Sequence, residues 1–332
     1  MLLAAIIAKR FYLENASKVD IGQEMGLSRF KVARLLDTAV ARGLVRIDIT
    51  FPTTIDVELS DSLARRYGLK HAIVVDPHQE DPGGPEPFTE LLAFPAARLV
   101  MDLLHEEDTL GLAWGRAVTA VSRALTRLPP CSVVQLTGVD PRRPITDKSV
   151  EAVGLAASLS GSAAHPLYAP LVLPNALTAA VLCSQPTIAQ TLDRFDTLTT
   201  AVLAVGAWGP GLSTVHDALS EAEQRHHADM GVVAEMASLL FDADGTLVSS
   251  GIGDRVIAVN ADQLRRTPEI IAVVGGRAKA RAVRAVLRSG LLTGIVTDAA
   301  TARTALASGA AQPGPSRQAD ARTLSGLSRQ TR

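Results

Sequence analysis

The 332-residue sequence contains only two cysteines, Cys131 and Cys183, which lie far apart in the chain. Their number and spacing give no support to a disulfide framework or a cysteine zinc site, and they favour a reducing cytoplasm. The apolar stretch at the N-terminus, residues 1–8, ends at Lys9 and is far shorter than the ~20 residues of a membrane span. Because a secretory signal carries its basic residues before the apolar stretch and not after it, we expect neither a membrane anchor nor a signal peptide.

Aromatic residues make up only 4% of the sequence and the net charge is only −1, yet 47% of the residues are hydrophobic. This composition is sufficient for a substantial core, and the length favours two domains. The charge is unevenly distributed: residues 1–50 carry a net charge of +3, residues 313–332 carry +3, and the body between them carries −7. A small basic segment on an acidic body indicates that the segment alone meets a polyanion.

The basic N-terminal segment has the pattern of a helix-turn-helix motif. Apolar residues at helical spacing predict a first helix near residues 2–11, and Ser17 is a suitable N-cap for a second helix that ends at Gly26. Ser28 can cap a third helix that extends to about residue 42. A glycine between two amphipathic helices is typical of the turn in this motif.

The basic residues of the third helix lie off its apolar stripe and face outward. A recognition helix enters the major groove with its first turn near the base edges and its cations near phosphate. We therefore predict that this helix binds DNA through Ser28, Arg29, Lys31 and Arg34. Alternation over residues 45–49 predicts the strand of a wing. Charge alone would also fit a solvated helical face, but the caps, the turn glycine and the wing together favour DNA binding.

From about residue 71 onward, short apolar runs alternate with amphipathic segments. We predict buried strands at residues 72–75, 110–113, 133–136, 201–205, 270–274 and 294–297, and helices at residues 118–128, 150–159, 278–287 and 301–307. This alternation predicts a mostly parallel, doubly wound α/β sheet with helices on both faces. The predicted organisation is a winged helix-turn-helix domain at 1–52, a connector helix at 53–69, the α/β domain at 70–312 and a disordered tail at 313–332.

Two predicted strand-to-helix junctions carry glycine followed by a cation. Gly115 precedes Arg116 in one junction, and Gly276 precedes Arg277 and Lys279 in the other. Glycine lets backbone N–H groups approach a ligand, and the start of a helix favours an anion. Neither loop has the Walker or dinucleotide-binding spacing, and a glycine at such a junction is often plain turn geometry. Two such loops in one acidic body favour an anionic small ligand.

The segment from Ile21 to Leu36, the run Trp114-Gly115-Arg116 and the long pattern from Gly275 to Ala302 share their residues and spacing with one protein family. They resemble the SorC family of bacterial sugar-responsive transcription regulators, and the likeness extends over residues 1–308. The resemblance implies a winged helix-turn-helix joined to a domain with the fold of phosphosugar isomerases. In this family that domain has lost catalysis and binds a sugar, polyol or sugar phosphate, and the regulators usually form dimers or tetramers.

The same resemblance implies which residues line the effector pocket: Trp114, Gly115, Arg116, Gln135, Gly276 and Lys279, with Asp242 as a further candidate for holding a hydroxyl group. Lys279 is the expected partner of a phosphate or hydroxyl group. Asp242 precedes Gly245 and fits equally well as a turn-forming residue. Ala117 stands where the family usually has a hydroxyl side chain, which leaves one phosphate ligand fewer.

Two other functions are compatible with parts of this pattern. The α/β domain could act as a phosphosugar isomerase with an accessory basic segment, but that activity needs a general base beside the glycine loops, and the sequence offers no unambiguous one. A nucleotide-binding oxidoreductase needs a Gly-x-Gly-x-x-Gly motif after its first strand, which is absent. We expect no catalytic residue, metal or cofactor, and we predict a cytoplasmic regulator that binds double-stranded DNA and a small effector.

Overall fold

The computed structural model describes residues 1–45, 55–76, 85–140 and 149–307. The chain divides into two compact units, residues 1–52 and 53–332. The first unit contains the helices α1 (Leu2–Tyr12), α2 (Lys18–Met25) and α3 (Arg29–Ala41), all three of which the sequence predicts. The predicted wing beyond residue 45 and the predicted tail at residues 313–332 lie outside the described residues.

The turn between α2 and α3 is fixed by caps and by a close backbone approach. The Ser28 hydroxyl accepts a hydrogen bond of 3.3 Å from the Lys31 backbone N–H and caps α3. Gly26 ends α2 with a φ of 63°, a left-handed conformation that glycine adopts at little cost. A Cβ on Gly22 would lie 2.7 Å from the Leu27 carbonyl oxygen, so a side chain there would separate α2 from the turn. The Ser28 cap, the left-handed Gly26 and the close packing at Gly22 therefore fix the turn between α2 and α3.

The second unit is built on a sheet of nine strands within the described residues. The strands are β1 (His71–Val75), β2 (Thr109–Leu112), β3 (Ser132–Gln135), β4 (Ala164–His165), β5 (Thr200–Ala207), β6 (Ala234–Met236), β7 (Leu239–Phe241), β8 (Glu269–Val273) and β9 (Gly294–Asp298). Seven strands pair in the order β1-β9-β8-β5-β2-β3-β4, and every pairing along this path is parallel. β6 pairs antiparallel with the end of β5, and β7 pairs with β6.

Helices cover both faces of the parallel sheet. Alternate residues of β8 belong to two different apolar clusters: Ile270 and Ala272 face one, whereas Ile271 and Val273 face the other. A strand that is buried on both sides needs a continuous apolar run, which is the pattern that predicts these strands in the sequence. The doubly wound α/β class predicted from the sequence is confirmed.

The helices of the second unit are α4 (Val57–Tyr67), α5 (Pro85–Leu103), α6 (Arg116–Ala124), α7 (Ser149–Ser160), α8 (Ala176–Cys183), α9 (Pro186–Asp193), α10 (Thr214–Ala218), α11 (Glu221–Asp229), α12 (Ala261–Arg266), α13 (Ala280–Arg288) and α14 (Ala299–Leu306). The four helices predicted for the body correspond to α6, α7, α13 and α14, with ends that differ by a few residues. Among the described residues, no helix combines the length and the apolar character needed to cross a membrane.

Helix α4 occupies the segment that the sequence interprets as a connector. Leu63 on α4 is fully buried in the main core of the second unit, and the Tyr67 hydroxyl donates a 2.8 Å hydrogen bond to the Ala305 carbonyl of α14. Asp56 caps the helix, and its backbone N–H donates to the Val74 carbonyl of β1. The helix is therefore an integral layer of the α/β unit, and its apolar face is used for that packing.

Candidate functional site

The direction of winding reverses between β2 and β5, which are neighbours at the centre of the parallel sheet. From β2 the chain continues to β3 and β4 on one side, and from β5 it continues to β8 and β9 on the other. In open α/β sheets, ligands bind beyond the carboxyl ends of the strands at such a switch point. The loops that leave β2, β5 and β8 meet at this place, and two of them are the glycine loops singled out in the sequence.

The loop after β2 turns sharply into α6 at Gly115. Its φ is 126°, and a Cβ there would lie 2.8 Å from the Cβ of Ala204 on β5. Both the conformation and the close approach require glycine. The next residue, Arg116, is exposed and begins α6. Trp114, in contrast, is largely buried, and its backbone N–H donates a 3.2 Å hydrogen bond to the Thr137 hydroxyl.

The loop after β8 brings Lys279 to the end of β5. Its Nζ donates a 2.9 Å hydrogen bond to the Val205 carbonyl oxygen. Burial lowers the pKa of the Lys279 ammonium, the charge of Arg116 lowers it further, and Glu235 acts in the opposite direction. Gly276 begins this turn with a φ of 100°, and its N–H donates a 2.7 Å hydrogen bond to the Asp298 carboxylate. The structure thus brings Arg116 and Lys279 of the two glycine loops into mutual electrostatic range.

Glu235 is a buried acidic residue beside this cluster, and the sequence analysis did not identify it. It lies on β6 opposite Gly206 of β5, where a Cβ on Gly206 would approach the Glu235 Oε2 to 2.9 Å. Its carboxyl accepts hydrogen bonds from the Ser213 hydroxyl at 3.2 Å and from the Ser238 N–H at 3.0 Å. Burial raises the pKa of Glu235. A single Glu inside the apolar run 232–236 was the available signal, and its meaning depends on a pairing that the sequence does not show.

Gln135 is at the end of β3, but its polar atoms are used inside the protein. The side-chain amide donates to the Thr137 carbonyl at 2.8 Å and to the Ser149 hydroxyl at 3.3 Å. Its carbonyl oxygen accepts a 3.2 Å hydrogen bond from the Leu167 N–H, and the residue is fully buried. Both amide hydrogens are therefore occupied, and they tie β3 to its neighbouring loops. The pocket-lining role of Gln135 stays a prediction.

Asp242 forms the turn after β7. Its Oδ1 accepts hydrogen bonds from the N–H groups of Asp244 and Thr246, both at 2.9 Å. This is the turn-forming alternative that the sequence left open, and Asp242 uses its carboxylate for local backbone hydrogen bonds. Gly245 in the same turn packs directly against the backbone of α13.

A separate apolar cluster, the Trp114 cluster, packs beside the glycine loop of β2. Its buried members are Trp114, Leu171, Val215, Leu219, Val232, Leu240 and Ile252. Trp208 packs at its margin, where its ring lies 5.1 Å from the His216 ring and 5.4 Å from the His227 ring, measured between centroids. Glu223 lies in the segment around this cluster, and hydrogen bonds from Ser220 and Arg255 lower its pKa to about 2. The ring contacts with His216 and His227 hold Trp208 within the protein.

The described residues contain no group of three or more His, Cys, Asp or Glu side chains that could hold a metal ion. The adjacent histidines His226 and His227 belong to no such group among the described residues. The two ring nitrogens of His227 contact the Glu223 carbonyl at 2.6 Å and the Ser250 hydroxyl at 2.8 Å. These contacts place His227 in the structural packing around Trp208.

The second candidate surface is the outer face of α3 in the first unit. Val32, Leu36 and Ala39 pack into the core of that unit, whereas Ser28, Arg29, Lys31 and Arg34 are exposed on other faces of the helix. Within the described part of the chain, no ion pair involves Arg29, Lys31 or Arg34, although Arg10 of α1 pairs with Glu24 of α2. Exposed cations without a carboxylate partner are available to a polyanion.

Known proteins share this architecture. The family model described as "Putative sugar-binding domain" matches residues 52–307. The chain is similar to the transcriptional regulator LsrR of Klebsiella pneumoniae subsp. pneumoniae, with 28% identity over 317 residues, 92% of this chain and 93% of that protein. It is 27% identical over 304 residues to the "Uncharacterized transcriptional regulator YjhU" of Escherichia coli, covering 90% of this chain and 92% of that protein. The crystal structure of the full-length sorbitol operon regulator SorC from Klebsiella pneumoniae has a TM-score of 0.68 at 22% identity, over 92% of this chain and 98% of that chain, and shows a shared fold.

Proposed function

The chain belongs to the SorC-type family of transcription regulators that carry a sugar-binding domain, and from this premise we propose that it is a DNA-binding regulator whose operator affinity is set by a sugar, polyol or sugar phosphate. The observation that carries the proposal is the family match over residues 52–307, which includes every described strand of the sheet. The two relatives compared above are named as transcriptional regulators and align along nine-tenths of the chain.

The first unit supplies the DNA-binding part of this function. An exposed helix N-terminus and three exposed cations on one helix suit a recognition helix in the major groove, with Arg29, Lys31 and Arg34 near bases and phosphates. Ser28 has its hydroxyl engaged in the cap, so its contribution to the DNA contact is to present the first turn of α3. Double-stranded DNA is therefore the proposed macromolecular partner.

The switch point of the sheet supplies the effector site. We place the effector against the turns at Gly115 and Gly276, which begin the two glycine loops, with Arg116 and Lys279 as its charged contacts. Trp114 supports this loop from the adjoining apolar cluster. Two cations in electrostatic range of each other repel, and an effector that carries a phosphate or several hydroxyl oxygens relieves this repulsion by accepting hydrogen bonds from both.

The effector site and the DNA-binding helix are coupled through oligomerisation of the chain. We propose a dimer or tetramer, because recognition helices from two copies can then occupy successive major grooves ~34 Å apart. The effector acts only through different affinities for the arrangements in which both helices do or do not reach DNA. The proposed place of action is the cytoplasm, where a bacterial regulator meets its operator.

An isomerase activity in the α/β unit is the alternative hypothesis. The Glu235 carboxyl is only 2% exposed and accepts hydrogen bonds from Ser213 and Ser238, so it is poorly placed to take a proton from a substrate. The relatives compared above are regulators and not enzymes. Both observations favour a regulator without catalytic residues.

Arg34→Ala tests the DNA-binding surface. We expect operator affinity to fall about tenfold or more, because Arg34 contacts phosphate or a base edge. The salt dependence of binding should decrease by about one released counterion for each DNA-binding unit. Fluorescence anisotropy with a labelled duplex, titrated at several KCl concentrations, measures both quantities. Arg98→Ala on α5 is a charge-matched control, since Arg98 is exposed and pairs with Asp102 on the same helix of the other unit. Unchanged affinity in Arg34→Ala would remove this helix face from the interface.

A further inference from the structure

Phe30 is a large apolar side chain that lies outside the apolar core of the first unit as far as the described residues show. It lies in the first turn of α3, and 69% of its surface is exposed. Val32, Leu36 and Ala39 of the same helix supply the buried contacts. A single exposed apolar residue is common on protein surfaces and means nothing by itself. Phe30 differs in its position, because it stands in the turn proposed to approach the base edges.

The ring of Phe30 also holds a neighbouring cation. The Arg29 guanidinium carbon lies 4.9 Å from the centroid of the Phe30 ring, within the range of a cation–π contact. Exposed contacts of this kind are weak, but they restrict the orientations that a long side chain samples. The pair therefore presents a flat apolar surface beside a partly oriented guanidinium at the start of the helix.

We propose that Phe30 is a specificity-determining residue that contacts the C5-methyl group of a thymine in the operator, with Arg29 oriented by the ring toward the adjacent base or phosphate. This inference rests on the proposed DNA-binding function. A phenyl ring makes no conventional hydrogen bond to a base edge, and the apolar feature that the major groove offers is the thymine methyl group. Residues in the first turn of a recognition helix are those that contact base edges.

Charge favours DNA over a second copy of the chain as the occupant of this surface. Arg29, Lys31 and Arg34 are exposed on the same helix as Phe30, and no ion pair within the described residues neutralises them. A symmetric contact between two such surfaces would bring six cations together and would be disfavoured by like-charge repulsion. A polyanion satisfies the cations while the ring contacts an apolar group.

The test uses the full chain and a duplex obtained from a random library by repeated selection on the purified protein. Each thymine of the selected site is replaced in turn by deoxyuridine, which removes only the methyl group. We expect one position in each half-site at which this replacement weakens wild-type binding by about fourfold, the effect of losing one buried methyl group. In Phe30→Ala the same replacement is expected to change affinity by no more than about twofold, because the methyl group has already lost its partner.

A matched control and the assembly state complete the experiment. Lys31→Ala should weaken binding on every duplex and should remain sensitive to the deoxyuridine replacement, because Lys31 acts on phosphate. Sedimentation velocity on wild type and Phe30→Ala should give the same mass distribution. A full methyl effect that persists in Phe30→Ala, or the absence of any methyl effect in wild type, would overturn the inference while leaving the DNA-binding function intact.

A change of assembly state in Phe30→Ala would overturn the inference by assigning the ring to a contact between copies. Selection that yields no preferred sequence would contradict the proposed function itself, and the inference with it.

Discussion

Replacement of Lys279 by methionine is expected to leave operator binding intact and to abolish its response to the effector. Within the described residues, the Lys279 ammonium donates a hydrogen bond to the Val205 carbonyl oxygen at the carboxyl end of the sheet, and burial lowers its pKa. A cation retained in an unfavourable environment of this kind is typical of a functional site. Loss of its charged hydrogen bond should weaken effector binding by about 10- to 150-fold.

Methionine preserves the unbranched apolar part of the side chain and most of its length, and it removes the cost of burying a charge. We therefore expect the free energy of unfolding to stay within about 1.5 kcal/mol of the wild-type value. A thermal-shift panel of sugars, polyols and their phosphates identifies the effector, since a ligand at 100 times its dissociation constant stabilises the protein by ~2.7 kcal/mol. Operator titrations with and without that effector then measure the response.

Arg277→Met is the matched control for Lys279→Met. Arg277 lies in the same turn and loses the same charge, but it is exposed. We expect Arg277→Met to respond to the effector much as the wild type does. A Lys279→Met protein that responds at the wild-type effector concentration would exclude Lys279 from the pocket.

Gly245→Ala is expected to destabilise the α/β unit by about 3–5 kcal/mol. Gly245 has a φ of 88°, and a Cβ there would lie 2.5 Å from the Ser289 nitrogen and 2.6 Å from the Ala285 carbonyl oxygen. These atoms belong to the backbone at the end of α13, which cannot move without disturbing the main core. The cost combines the penalty for left-handed backbone with that for overpacking.

Gly231→Ala separates these two contributions. Gly231 has a φ of 84°, but a Cβ there would meet nothing within 4 Å, so only the backbone penalty of about 1–2 kcal/mol applies. Both tryptophans of the chain, Trp114 and Trp208, lie in the second unit, so their fluorescence during urea unfolding reports that unit alone. Equal destabilisation by the two substitutions would show that α13 yields to the Gly245 side chain.

The sequence predicts the central sheet well because its strands are buried on both faces. Each of the six predicted strands overlaps an observed strand, from β1 through β9. The strands it misses are β4, β6 and β7, which contain only two or three residues and have no measurable periodicity. The alternation of strand and helix is a local property, whereas β6 exists because β5 extends beyond the parallel sheet and offers it a partner.

The candidate site is predicted in part. Local chemistry identifies Gly115, Arg116, Gly276 and Lys279, because glycine followed by a cation at a strand-to-helix junction is visible in the sequence. Glu235 was missed because its relevance arises from tertiary contacts with Ser213 and with the charge of Lys279. Family resemblance suggests both Gln135 and Asp242 for the pocket. The turn-forming alternative for Asp242 was visible in the sequence, whereas the hydrogen bonds of Gln135 to Thr137, Ser149 and Leu167 arise from tertiary contacts that a sequence pattern cannot reveal.

Two titrations of the same full-length protein test most directly whether effector occupancy controls operator affinity. One measures the dissociation constant of the operator with and without saturating effector, and the other measures that of the effector with and without saturating operator. Regulation through the proposed effector site at the switch point of the sheet predicts that the two ratios of dissociation constants are equal, because coupling between two sites is reciprocal. We expect both ratios to lie between about 5 and 150. An operator dissociation constant that does not change when the effector is bound would contradict this regulation.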